Sequence, residues 1–402
     1  MKHLETVFNA LRWVFLTFIT GFSAPVAAQD DSTLLAMDSV EISLLTCQPH
    51  DEVYSLYGHT AIRYHDMHQK GEVDAAFNYG VFNFHAPHFV ARFVFGLTDY
   101  ELGVFPYHLF QNEYRHFGSM VTEQVLNLTA QEKYQLRQAL SENLRPENRI
   151  YRYNYFYNNC TTKARDIIEQ CINGKIEYAE REDYTPSYRD MIHGMTQRNP
   201  WSRWGNDLLL GIKSDQPTTL RQQEFLPHNL MYDFDRAQIY TDGTYRPLVK
   251  ERRVSVPAGV QILKSGFPLS PMHCFVGLLA VGLILFFVQW RKHCIFAVWE
   301  VLLMLATGIM GIVLFLMLFS QHPTVSLNLQ FILLNPLPFL FLWPVIRGKK
   351  TRYWGITAIL SLLFLLGALF QSHAEGIWSL ALCLLLQSYL HLNRKSNKKL
   401  SV

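Results

Sequence analysis

The chain has 402 residues, of which 49% are hydrophobic, 14% aromatic and only 17% charged. This balance excludes a disordered polypeptide, and the length allows two or three domains. The net charge of +3 conceals a division: residues 29–274 hold 24 Lys+Arg against 30 Asp+Glu, whereas residues 275–402 hold 10 Lys+Arg against only Glu300 and Glu375.

The N-terminus carries Lys2 and Arg12, a short apolar run over 13–22 and the small-residue stretch Ala24-Pro25-Val26-Ala27-Ala28. This is the pattern of a secretory signal peptide over 1–28, cleaved after Ala28. An uncleaved anchor would leave the following domain on the same side of the membrane.

Residues 29–245 are expected to form a mixed α+β domain outside the membrane. Alternating apolar residues predict strands at 40–46, 60–64, 75–79 and 121–128. Helices are expected at 129–144, where Thr129 and Glu132 suit a capping box, and at 159–171. The Pro-punctuated segment 246–266 is expected to be a linker. Five apolar stretches follow at 267–290, 295–319, 327–346, 353–370 and 376–392, each about 17–25 residues and so near the length that crosses a bilayer. Basic residues gather at Arg291-Lys292, at Arg347, Lys349, Lys350 and Arg352, and in the tail 393–402. If all five stretches span, every basic segment falls on one side, which is the cytoplasm. The long domain is then outside, as the signal peptide also requires.

The outer domain holds three cysteines, Cys47, Cys160 and Cys171. On one helix Cys160 and Cys171 would be separated by about 16 Å of rise, too far for a disulfide. Cys47 with Cys171 is then the pair open to bridging, with Cys160 as the odd thiol. Cys160 follows Asn158-Asn159 at a helix start, where the positive end of the helix dipole favours a thiolate; an inert buried cysteine is the competing reading. A thiol nucleophile needs a base. His59, in Gly58-His59-Thr60 at the start of a predicted strand, is the best placed of ten histidines in 29–245. Asn78 is the candidate to orient it, with Asn83 and Asp74 behind. The pairs His65/His68 and His85/His88 lack the companions of a zinc site, so no metal and no cofactor is expected. There is no nucleotide loop and no nucleic-acid signature.

A His-bearing strand followed about a hundred residues later by Asn159-Cys160 at a helix start resembles the circularly permuted branch of the NlpC-type, papain-like thiol enzymes. More fully, the chain resembles the Lnb family of bacterial lipoprotein N-acyltransferases. The matching pieces are Gly58-His59-Thr60, Phe77-Asn78-Tyr79-Gly80, Asn158-Asn159-Cys160-Thr161, Leu226-Pro227-His228-Asn229-Leu230, and Asn335-Pro336-Leu337 in the multi-helix tail. The resemblance implies a permuted papain-like periplasmic domain followed by an all-α membrane domain of about five helices, set in the bacterial inner membrane. It also implies that His59 activates Cys160, which takes a fatty acyl chain from a phospholipid and passes it to the α-amine of a lipoprotein. Candidate substrate contacts are Tyr57, Asn159, His322, Asn328 and Asn335, with helix–helix hydrogen bonding the rival role for the last three. Phe82, Phe84, Phe89, Phe93, Phe95 and Phe105 suit an acyl groove or a place in the membrane interface, and a dense core at least as well. Glu300 is expected to snorkel toward water. A peptidoglycan peptidase or amidase with the same dyad, or a non-catalytic envelope sensor, are the alternatives.

Overall fold

The computed structural model describes residues 34–52, 55–67, 73–82, 87–181, 185–261 and 266–393. The expected signal peptide, Asn83, Phe84 and the tail beyond Asn393 lie outside these residues. The chain forms two compact units that alternate along the sequence. The first takes Met1–Phe89, Leu97–Thr185 and Thr219–Lys264; the second takes Val90–Gly96, Pro186–Thr218 and Ser265–Val402. The single boundary expected near residue 245 is therefore replaced by several crossings of the chain.

The second unit contains the apolar helices Pro271–Lys292, Ala297–Met317, Leu337–Ile346, Tyr353–Gly367 and Ile377–Leu392. Among the described residues three apolar segments, Pro271–Lys292, Ala297–Met317 and Leu329–Ile346, are long enough to cross a membrane, and the last is a 3-10 turn at Leu329–Ile332 joined to a helix. The other two helices have 15 and 16 residues. At about 1.5 Å per residue they fall short of a roughly 30 Å hydrocarbon core. Gly311 lets helix Ala297–Met317 approach the Asn335 backbone, since a Cβ there would lie 2.3 Å from its carbonyl carbon.

Apolar surroundings make unpaired polar groups costly, and many of the polar side chains buried in this unit pair with one another or with backbone. Glu300 does not snorkel: it is 3% exposed and contacts His391, while Gln387 Nε2 donates to its carboxylate at 2.8 Å and to Gln289. The polar residues of the third apolar stretch likewise face protein. Gln330 Nε2 donates to Asp207 O at 2.8 Å and Asn328 Nδ2 to Leu208 O at 2.8 Å. They thereby hold the helix Pro200–Leu209, part of the 186–218 excursion. In that excursion Arg189 is clasped by Asp207 at 2.8 Å and Asp215 at 2.7 Å.

The first unit is built on a seven-stranded antiparallel sheet, in the order β10-β5-β1-β2-β3-β4-β6. Its strands are β1 Val40–Cys47, β2 His59–Asp66, β3 Val73–Val81, β4 Asp99–Pro106, β5 Val121–Leu126, β6 Ile150–Arg152 and β10 Val249–Val256; β7 Lys175–Glu177, β8 Gln238–Thr241 and β9 Thr244–Pro247 form a small second sheet. Side chains alternate between the two faces of the large sheet. On one face Ile42, Leu44, Ile62 and Phe77 pack with Leu136, Ile168 and Phe234 of helices Ala130–Leu144, Cys160–Gln170 and Pro227–Arg236. On the other Leu45, Cys47, Ala61 and Ala76 pack with Tyr107, Phe110 and Tyr114 of helix Tyr107–His116. The expected capping box is present: Thr129 accepts from the Glu132 amide and Glu132 from the Thr129 amide at 2.8 Å.

Residues 246–256 are not linker. Val249–Val256 pairs along β5 as the edge of the large sheet, and Arg246 bonds the buried Glu132. The run Lys250-Glu251-Arg252-Arg253 is polar because an edge strand faces solvent, where charges also discourage pairing with another chain.

Arg253 anchors this edge through Glu123, which is 1% exposed and also takes Arg63 at 3.0 Å. Asp74 and Glu41 complete the cluster against Arg63 and Arg253, linking β1, β2, β3, β5 and β10. Burial pushes the Glu123 carboxyl up, but the Arg253 hydrogen bonds and the Arg63 charge prevail and hold it below the ordinary carboxylate range. A carboxyl depressed in the folded state contributes stability that is complete above its unfolded pKa and is lost as pH falls through the folded value. Glu123→Gln should therefore lower stability at neutral pH by about 1.5–3 kcal/mol, the scale of hydrogen bonds to a charged group. Asp74 and Glu41 keep the loss from being larger. The acid side of the stability curve should flatten in the same variant, and thermal unfolding of the detergent-solubilised chain across pH measures both.

Candidate active site

The helix Cys160–Gln170 begins at Cys160 because Asn159 caps it. The Asn159 Oδ1 accepts from the Thr161 and Thr162 amides at 3.0 and 2.9 Å, and its Nδ2 donates to Tyr155 O at 3.0 Å and Phe225 O at 2.8 Å. These bonds leave the Cys160 amide as a helix-terminal donor with no acceptor among the described residues. Asn159 is 5% exposed, and its side chain is engaged with backbone at both ends, so it fixes the position of the cysteine.

His59 opens β2, opposite Cys47 in register. Two glycines make room for it. Gly58 has φ +78°, and a Cβ there would lie 2.6 Å from Cys47 O. At Gly80 on β3 a Cβ would lie 2.7 Å from His59 Cε1 and 3.1 Å from Asn78 Oδ1, so the imidazole lies directly over that backbone. Asn78 Oδ1 accepts from the Gly80 amide at 2.8 Å, which holds the Asn78 side chain beside the His59 ring. The structure thus brings Cys160, His59 and Asn78 together in the first unit.

Burial alone would raise the Cys160 thiol. The His59 charge and hydrogen bond, the Thr60 amide and the Thr161 hydroxyl overcome it and bring the thiol below its ordinary value. Burial pulls the imidazole down, but the Cys160 charge and hydrogen bond, then Glu113 and Asn78, raise it above the ordinary histidine value. Opposed shifts of this kind favour a thiolate–imidazolium pair.

Sequence reasoning misses Glu113. It lies on helix Tyr107–His116 beside Tyr114, which packs with Cys47, and its charge acts on His59. A lone Glu in a polar stretch offers no sequence signal; only the register of Cys47 with His59 brings that helix to the site. Also missed are the tyrosines. Tyr100, Tyr151, Tyr153 and Tyr155 all lie within electrostatic reach of Cys160, with burial pushing each hydroxyl upward. Tyr57 packs edge-on against Tyr155 with ring centroids 5.0 Å apart, which places this expected substrate contact on the same aromatic wall.

The remaining expectations divide. Cys47 and Cys171 are both free thiols and belong to the cores on opposite faces of the large sheet, so the bridge between them is ruled out. His322, Asn328 and Asn335 belong to the second unit. His322 Nε2 lies 3.2 Å from Phe93 O, Asn328 Oδ1 accepts from Gln371 at 2.9 Å, and Asn335 caps the next helix through Leu337 N at 3.1 Å. The two asparagines are thus occupied with protein groups, the role that rivalled substrate binding.

Gly80→Ala tests whether His59 holds the thiolate. The displaced ring should move the pH midpoint of Cys160 alkylation by iodoacetamide up toward the ordinary thiol value. Misplacement on the order of 1 Å should also lower any chemistry at this site by about 10²-fold. An unchanged alkylation midpoint would contradict the assignment.

Comparison with known families agrees with this architecture. Residues 30–194 match the family profile described as the Lnb N-terminal periplasmic domain, and residues 262–399 match that of the Lnb transmembrane domain. No curated protein and no solved structure matches the chain. With both profiles in order on one polypeptide, the chain belongs to the Lnb family and comprises a periplasmic domain followed by a transmembrane domain.

Proposed function

We propose that the chain is a thiol acyltransferase that moves a fatty acyl chain from a phospholipid to the N-terminal amine of a diacylated lipoprotein. The observation that carries this reading is Cys160 at a capped helix start brought beside His59 at the start of β2, where the neighbouring Thr60 and Thr161 hydroxyls lie 3.1 Å apart, on a chain that also carries membrane helices. A histidine on a strand that precedes a cysteine at a helix start is also the arrangement of a circularly permuted papain-like domain. The membrane helices favour transfer between lipid substrates over cleavage of cell-wall peptides. Confinement near a bilayer raises the effective concentration of a two-dimensional substrate, and a wall hydrolase gains nothing from it.

In this reaction the Cys160 thiolate attacks the ester carbonyl of a phospholipid. The C–S bond forms, the ester C–O bond breaks, and the lysophospholipid leaves with the proton of the His59 imidazolium. The Cys160 amide, left unused by the Asn159 cap, donates to the oxyanion. Neutral His59 then takes the proton of the acceptor amine as its nitrogen attacks the thioester. The C–N bond forms, the C–S bond breaks, and the thiolate–imidazolium pair is restored. Asn78 orients the imidazole throughout.

Cys160→Ala should abolish both the acyl adduct and N-acylation of a diacylated lipopeptide, and His59→Ala should slow transfer by about 10²–10⁴-fold, the usual value of a general base. Mass spectrometry of enzyme and lipopeptide reads both; full N-acylation by Cys160→Ala would refute the proposal. Transfer should fall at low pH as Cys160 is protonated and at high pH as His59 is deprotonated. Removing the negative charge in Glu113→Gln destabilises the imidazolium, so the alkaline limb should move to lower pH.

A further inference from the structure

Four aromatic rings form a ladder in the first unit. Phe89 and Phe82 have centroids 6.0 Å apart with planes at 22°, Phe82 and Tyr100 4.8 Å at 20°, and Tyr100 and Tyr153 3.9 Å at 16°. The pairing of β4 with β6 builds the last step. Tyr100 stands opposite Tyr151, and the Tyr153 amide bonds Thr98 O at 3.0 Å, so Tyr100 and Tyr153 project from the same face.

These rings are not core. None of the four belongs to the cluster on either face of the large sheet, and all four are half-buried. The ladder also has a direction. Tyr153 leads through Tyr155 and the Asn158-Asn159 turn into Cys160, and the two tyrosines are the rings within reach of the thiol. Beyond them come the two phenylalanines, which carry no polar atom. Hydroxyl-bearing rings beside the nucleophile and pure hydrocarbon farther away match a ligand with a polar carbonyl head and an apolar tail.

We propose that the ladder is an acyl-chain subsite whose occupant is the fatty acyl group carried as a thioester on Cys160, its carbonyl end beside Tyr153 and Tyr100 and its tail along Phe82 and Phe89. This rests on the acyl-enzyme reading. Covalent attachment at Cys160 fixes one end of the chain, and the ladder is the aromatic surface that continues from that end. Phe82 then bears on chain-length preference, because it is the first ring beyond the two tyrosines and meets the tail rather than the carbonyl end.

The test uses the full chain in detergent with vesicles of phosphatidylethanolamines bearing lauroyl, palmitoyl and stearoyl groups in equal amounts, and mass spectrometry of the Cys160 peptide. In Phe82→Ala the ratio of stearoyl to lauroyl adduct should fall about four- to fifteenfold, the change expected when one or two methylenes lose their burial. Phe82→Leu should recover most of the ratio. An unchanged ratio, or an equal loss at every chain length, overturns the subsite while leaving the acyl-enzyme intact. Absence of any acyl adduct on the unaltered chain sinks the acyl-enzyme reading and the subsite together.

Discussion

The site depends on one capped helix terminus. A helix end leaves several amides without intrahelical partners, and a polar side chain must take some of them. Asn159 takes two and with its other end ties the turn to Tyr155 and Phe225. This fixes the first helical residue as Cys160, sets its amide free, and aims its thiol at the start of β2, where Thr60 and His59 wait. Replacing the cap would disturb all of these at once, although Asn159 touches no reacting atom.

The membrane unit meets a related constraint in a harsher solvent. Lipid offers no hydrogen bonds, so a buried polar side chain is costly until it finds protein. Gln289, Glu300, Gln387 and His391 satisfy one another across helices Pro271–Lys292, Ala297–Met317 and Ile377–Leu392. Elsewhere Asn328, Gln330 and Gln371 reach the last carbonyls of helix Pro200–Leu209 and the backbone that follows it. The same chemistry that closes a helix end around Cys160 closes one here, with side chains from distant sequence in place of a local cap.

Much of this was legible in the sequence where the physics is local. Strand alternation located β1, β2, β3 and β5, the Thr129/Glu132 box marked a helix start, and Asn159-Cys160 marked another. Gly58-His59 and Asn78 were legible because a glycine beside a strand-bound histidine signals a close approach. Long-range pairing was not. The edge strand β10 reads as linker, since only its partner β5 gives its charged residues a place. Glu113 and Tyr100 acquire meaning through register, which no sequence window contains. Asn159 and Asn328 are recognisable as polar residues with work to do, but whether that work faces substrate or backbone depends on neighbours far along the chain.

The alternation of the chain between its units bears on how the protein is made and cut. Residues 186–218 belong with the helices after 265, whereas residues 219–264 return to the first unit and supply its edge strand. The large sheet therefore lacks an edge until residue 256 has been synthesised, and the Arg189 and Asp207 excursion lacks its partners until Gln330 and Gln371 follow. A polypeptide ended before the first membrane helix would carry a finished sheet and an orphaned excursion, with the carbonyls of Asp207, Leu208 and Leu210 deprived of their donors. The excursion is thus separated from those helices in sequence but completed by them in the fold.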